Sequence, residues 1–121
     1  MLKTEILENG RATVTLNRPD VHNAFDEALI AALQETFTGL SENPDVRVVV
    51  LAAEGKSFCA GADLNWMKRM SGYSYEENMA DGRALARMLN TIATCPKPVV
   101  GQVQGAAYGG GVGMVAVCDI A

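Results

Sequence analysis

The chain has 121 residues, 49% of them hydrophobic and 20% charged, a globular composition with at most one domain's worth of length. Its net charge of −4 supplies no basic field for nucleic acid, and its longest apolar runs, at 48–53 and 114–118, fall far short of the roughly 20 residues that cross a bilayer. Cys59, Cys95 and Cys118 without C-x-x-C spacing, beside a single histidine, exclude a disulfide framework and a Cys/His zinc site, and with no apolar signal segment at the start the expected compartment is the cytoplasm.

Residues 4–7 and 12–16 flank Asn9-Gly10, a dipeptide that favours a type I′ turn, so the chain is expected to open with a β-hairpin, broken by Asn17-Arg18-Pro19-Asp20. Phe25, Leu29, Leu33, Phe37 and Leu40 then form one face of a 3.6-period helix that stops before Asn43-Pro44. The β-branched run 46–53 has no polar alternation and predicts a strand covered on both faces. After a loop at 56–63, a short helix is predicted at 64–70. Ser74 and Glu77 form a capping box for a long helix with the face Leu85, Met88, Leu89 and Ile92, ended by Cys95-Pro96-Lys97-Pro98. A strand at 99–103, a glycine-rich stretch at 105–113 and a buried helix at 112–118 complete the order.

Strands alternating with helices imply crossover connections and an α/β fold. The last segment, Asp119-Ile120-Ala121, resembles the beginning of another unit, so the expectation is a truncated chain or one whose final apolar residues are covered by a partner.

Two nucleotide-binding patterns are incomplete. Glu54-Gly55-Lys56-Ser57 follows a strand like the end of a P-loop, but Val50 stands where the first glycine of that loop belongs. Gly111-Val112-Gly113-Met114-Val115-Ala116 has the form G-x-G-x-x-A; it follows three strands rather than the first, and the acid it requires would lie past Ala121. Nor does a nucleophile motif accompany the lone His22, which leaves loop solvation or ligand contact as its reading. Glu76, Glu77 and Asp81 fall around a helix start, where the macrodipole favours negative charge.

Two segments carry more. Ser57-Phe58-Cys59-Ala60-Gly61-Ala62-Asp63-Leu64 and Gln104-Gly105-Ala106-Ala107-Tyr108-Gly109-Gly110-Gly111 are both strand exits of small residues into a helix. Such exits leave backbone N–H groups free where a developing oxyanion is stabilised, and small side chains let a ligand approach the backbone.

Together with Asn17-Arg18-Pro19, Asn23-Ala24, Lys97-Pro98-Val99 and Cys118-Asp119-Ile120, these elements resemble the crotonase (enoyl-CoA hydratase/isomerase) superfamily in order and spacing, over essentially the whole chain. The resemblance implies a crotonase-like spiral of repeated β-β-α units, of which residues 1–121 would be the amino-terminal part, assembled in the full-length form as a homo-trimer or hexamer. It implies an acyl-CoA thioester as partner, with coenzyme A entering as part of the substrate and no separate cofactor. The catalytic pair would be the amides of Ala62 and Gly110, sharing one cavity, and Val21, His22, Ala60, Gly61, Asp63 and Leu64 would line the CoA path.

Hydratases of this kind typically carry two glutamates. The first position is Gly113 here and the second belongs past Ala121, so the 121-residue chain by itself is expected to have little hydratase activity. The implied reaction is hydration of an α,β-unsaturated acyl-CoA; a double-bond isomerase and a non-catalytic acyl-CoA-binding remnant are the alternatives. The run Ala60 to Met70 is similar to hydratases of glutaconyl-type CoA esters, for which Lys68 and Arg69 either face a distal carboxylate or belong to a solvated helix face.

Overall fold

The computed structural model describes residues 1–121 as three successive β-β-α units. Strands β1 (Leu2–Ile6) and β2 (Arg11–Leu16) precede helix α1 (Glu27–Glu42); β3 (Val48–Ala53) and β4 (Ser57–Cys59) precede α2 (Leu64–Met70) and α3 (Tyr75–Ala93); β5 (Val99–Gly101) and β6 (Ala106–Ala107) precede α4 (Gly110–Ala116). Both strands of the first unit and the first strands of the other two build a four-stranded sheet in the order β1-β2-β3-β5, antiparallel at β1/β2 and parallel elsewhere, while β4 and β6 pair in a second, parallel sheet.

The hairpin forms, with a different turn from the one expected. The Leu7 carbonyl accepts from the Gly10 N–H at 3.0 Å, and the Leu7 N–H donates to the Arg11 carbonyl at 2.9 Å. Only Gly10 has positive φ, at +90°, whereas a type I′ turn needs it at both central residues. The connection is the longer kind in which a left-handed glycine bulges the strand. This presents the Gly10 carbonyl to the Arg47 N–H at 2.7 Å, where the chain enters β3.

In β2 the alternation places Ala12, Val14 and Leu16 in the core, while β3, in the middle of the sheet, buries the consecutive residues Val49, Val50 and Leu51. Helix α1 is capped by Asp26, whose side chain accepts from the Leu29 N–H at 2.9 Å; it buries Leu29, Ile30, Leu33, Phe37 and Leu40. Phe25 precedes the cap, so it belongs to the loop and not to the helical face. The Ser74–Glu77 capping box is present in both directions. On α3, Met88 and Ile92 are buried and the face reaches α1, where Thr91 Oγ1 bonds Gln34 Oε1 at 3.0 Å. Nineteen buried residues drawn from β2, β3, β4, β5 and all four helices form one cluster, so the three units fold around a common core.

The last helix departs from expectation. It begins at Gly110 and ends at Ala116, and only Gly111 and Met114 are buried; Val112 is 54% exposed. Gly111 sets its position, since a Cβ there would meet the Cys59 carbonyl oxygen at 2.2 Å. The residues after it turn back to the sheet: Asp119 Oδ2 accepts from the Val99 N–H at 2.7 Å, and the Ile120 carbonyl accepts from the Gly101 N–H. No helix is long and apolar enough to cross a membrane.

Candidate active site

The segment at 60–63 is held as a strand-like edge against the loop before α1. The Phe25 N–H donates to the Gly61 carbonyl and the Asp63 N–H donates to the Phe25 carbonyl, both at 2.8 Å, while the Ala60 N–H reaches the His22 carbonyl at 3.0 Å. In a parallel bridge of this kind the residue between the two bonded partners turns its own amide the other way. That residue is Ala62, and its N–H has no backbone acceptor.

The second exit is pinned likewise. The Tyr108 N–H donates to the Cys59 carbonyl at 3.0 Å, the Gly111 N–H to the Tyr108 carbonyl, and the Val112 N–H to the Gly109 carbonyl. Gly110 opens α4, so its N–H has no acceptor within the helix. Gly61 couples the two exits: its φ is +88°, and a Cβ on it would lie 2.9 Å from the Tyr108 oxygen and 3.3 Å from the Gly110 nitrogen.

Ala62 and Gly110 line one cavity of about 320 Å³. Its apolar wall is Phe25, Trp66, Met70 and Leu85; Phe25 and Trp66 meet edge to face with centroids 6.2 Å apart. Phe25 also seats against Gly110, where a Cβ would come within 2.4 Å of its ring. The polar wall is Asn78 and Asp81, the latter accepting from the Trp66 indole N–H at 3.0 Å. Phe25 and Asp81 were absent from the sequence-derived site. The spacing of Asn78, Asp81 and Leu85 on one side of α3 is the signal that points to the second; nothing local points to the first.

A cavity of about 430 Å³, sharing Ala62 with the first, is lined by Val21, His22, Ala60, Asp63 and Leu64 together with Lys68. Of the expected CoA-path residues, Gly61 alone lies outside this lining, in the backbone between the two cavities. The largest cavity, about 630 Å³ at the hairpin tip between 6–10 and 44–47, includes none of these residues.

The wall of the second cavity is held by buried polar groups. Asn23 is fully buried with φ +58°. Its Oδ1 accepts from the Arg18 N–H at 2.7 Å, and its Nδ2 donates to the carbonyls of Glu54 and Ser57 at 2.7 and 3.0 Å. Beside it, His22 also has positive φ, and its Nδ1 sits 3.1 Å from Ser57 Oγ. Arg18 bridges two helix caps, lying 3.6 Å from Asp26 and 3.2 Å from Asp63. Burial pushes the Asp63 carboxyl pKa up, but hydrogen bonds from the Trp66 and Asn65 amides and the Arg18 charge outweigh this and hold it below the usual carboxylate value. Asp63 is thus an ionised cap.

Burial raises the Cys59 pKa against a hydrogen bond from Gly61, and raises that of Cys118 with help from Asp119; neither is an activated thiolate. No cluster of three or more metal-binding side chains forms. Lys68 and Arg69 do not line the cavity of Ala62 and Gly110: Lys68 borders the neighbouring one, and Arg69 pairs with Glu27. Leu64 opens a seven-residue helix, capped by Asp63, whose register places Trp66 inward and these two cations outward.

Comparison with known proteins places this geometry in context. The family description enoyl-CoA hydratase/isomerase matches residues 7–121. The chain is 36% identical over 117 residues to an enoyl-CoA hydratase of Alternaria alternata, covering 96% of this chain and 37% of that protein. It is 33% identical over 114 residues to the peroxisomal Delta(3,5)-Delta(2,4)-dienoyl-CoA isomerase of Arabidopsis thaliana, covering 87% and 41%. The crystal structure of an enoyl-CoA hydratase from Shewanella pealeana superposes with a TM-score of 0.95 at 39% identity, over 98% of this chain and 44% of that one. The chain spans about half the length of the curated relatives it matches, or less.

Proposed function

The chain belongs to the enoyl-CoA hydratase/isomerase family and has its crotonase fold, and from that premise we propose that it binds an α,β-unsaturated acyl-CoA and promotes the addition of water to it. The observation that carries this reading is the pair of acceptorless amides, Ala62 and Gly110, lining one cavity.

A thioester carbonyl set between those N–H groups gains negative charge as the nucleophile adds at Cβ. Preorganised donors strengthen as that charge develops, each contributing about 2.7–4 kcal/mol in known oxyanion holes. Coenzyme A is part of the substrate in this reading, and no further cofactor is required. Its path runs through the adjoining cavity, past Val21, His22, Ala60, Asp63 and Leu64, with Lys68 available to a phosphate. Gly61 shapes the backbone that separates thioester from CoA path.

Proton transfer requires a carboxylate that the oxyanion hole does not replace. Gly113 occupies the position of the first family glutamate, which assigns that task to the second. Asp63 caps α2 and Asp119 bonds β5, so neither is free to act as base. The full protein is proposed to be a cytoplasmic trimer or hexamer.

Double-bond isomerisation is the second reading, favoured by the isomerase among the relatives. Ultraviolet absorbance of the conjugated thioester separates them: hydration bleaches crotonyl-CoA, whereas isomerisation of 3-hexenoyl-CoA creates the band. Binding of both without turnover by the full-length protein would leave a non-catalytic acyl-CoA binder and overturn the hydratase reading.

A further inference from the structure

Arg18 lines neither of the two cavities that meet at Ala62, yet its side chain is only 20% exposed. Nη1 donates to the Ala24 carbonyl and lies 3.6 Å from Asp26 Oδ2, while Nη2 donates to Asp63 Oδ2 at 3.2 Å. Its main chain is fixed as well, the N–H donating to Asn23 Oδ1 and the carbonyl accepting from the Asn23 N–H at 2.8 Å. The side-chain contacts fall on both sides of one backbone junction. Ala24 and Asp26 flank Phe25, Asp63 follows Ala62, and Phe25 and Ala62 form the parallel bridge that turns the Ala62 amide away from backbone acceptors. Phe25 extends the junction to the second donor, because a Cβ on Gly110 would come within 2.4 Å of its ring.

We infer that Arg18 is a positioning residue for the oxyanion hole: through Ala24, Asp26 and Asp63 it holds the Phe25–Ala62 bridge in the register that aims the Ala62 N–H into the cavity shared with Gly110. This rests on the reading of Ala62 and Gly110 as the seat of the thioester carbonyl. The planar guanidinium suits the task because its fork directs donors at fixed angles to acceptors on both segments, whereas an ammonium is a point charge on a flexible stem. Precision matters here, since a misplacement of about 1 Å costs a reaction on the order of 10²-fold.

The test is the carbonyl stretch of butyryl-CoA labelled with carbon-13 at the thioester carbonyl, bound to the full-length protein and read by infrared difference spectroscopy. The saturated thioester takes up no water, so activity does not enter. Hydrogen bonds to the oxygen weaken the C=O bond, and the unsubstituted protein should shift the band below that of the free ligand. Arg18→Lys keeps a charge opposite Asp26 and Asp63 and loses the fork; the protein should fold and bind butyryl-CoA with the downshift reduced to about half or less. Asp63→Asn breaks the same ion pair from the other side while Oδ1 still caps α2, and should lose downshift likewise. Because both act through one contact, the double variant should lose no more than the larger single loss. A full downshift in Arg18→Lys, or in Asp63→Asn where Arg18→Lys does not fold, overturns the inference, as does a double loss equal to the sum of the two singles. No downshift in the unsubstituted protein overturns the oxyanion-hole reading itself, and the inference with it.

Discussion

Gly61→Ala is the substitution that bears most directly on the site. With φ at +88°, any L-residue there incurs a left-handed backbone cost of about 1–2 kcal/mol. The added methyl would stand 2.9 Å from the Tyr108 carbonyl oxygen and 3.3 Å from the Gly110 nitrogen, both backbone atoms that no side-chain rotation can clear. Relieving such overpacking typically costs a further 1–3 kcal/mol or so. The total, about 2–5 kcal/mol, is a large part of the 5–15 kcal/mol that roughly stabilises a domain, yet it leaves most of the population folded. The relief must open the gap between the 59–62 and 108–110 segments, which separates the two amides. The acyl-dependent part of binding, butyryl-CoA relative to free CoA, should then fall about tenfold, the equivalent of ~1.4 kcal/mol. Urea unfolding monitored by Trp66 fluorescence and calorimetric titration supply the two readings. A contrasting substitution, Gly113→Ala, places its methyl 3.7 Å from Leu89 Cδ1 inside α4 and should stabilise by about 0.4–1 kcal/mol. If Gly61→Ala unfolds within ~0.5 kcal/mol of the parent and binds butyryl-CoA as well, the proposed coupling between the two strand exits is wrong.

Two further outcomes follow from the buried polar groups behind the CoA path. Asn23→Ala removes three hydrogen bonds of 2.7–3.0 Å, so at about 1 kcal/mol per bond it should destabilise by roughly 3 kcal/mol; Asn23→Gly, which also sheds the β-carbon held at φ +58°, should be about 1–2 kcal/mol less destabilising than Asn23→Ala, and a loss below ~1 kcal/mol in the alanine variant would show the staple to be dispensable. Because the folded-state pKa of Asp63 is depressed, its contribution is fully present above the unfolded value of about 3.9 and is lost as pH falls through the folded value; Asp63→Asn should cost about 1–3 kcal/mol at neutral pH and flatten the acid side of a stability profile taken by urea titration, and an unchanged profile would refute the cap's ionised role.

Much of the fold is legible in the amino-acid sequence, because its signals are local. Proline and paired turn residues interrupt the chain where the structure interrupts it, the Ser74–Glu77 box starts α3, and the β-branched run at 46–53 supplies the interior strand Val48–Ala53. The small-residue exits at 60–62 and 109–111 announce an accessible backbone, and a helix start leaves the Gly110 N–H unpaired as expected; the Ala62 N–H, two residues before α2, is freed instead by the bridge to Phe25. What no local pattern contains is the pairing of β4 with β6, which brings Ala62 and Gly110 from distant parts of the chain to one cavity. Nor does periodicity reveal that Phe25 leaves the helical face to bridge Ala62, or that Asp81 leaves a solvated helix start to face Trp66. The hairpin turn and the exposure of α4 were decided in the same way, by Arg47 reaching for the Gly10 carbonyl and by how little of the core lies over Val112. Local preference sets where elements begin and end, while side-chain company is set by contacts between residues far apart in sequence, and only the assembled sheets and helices bring those together.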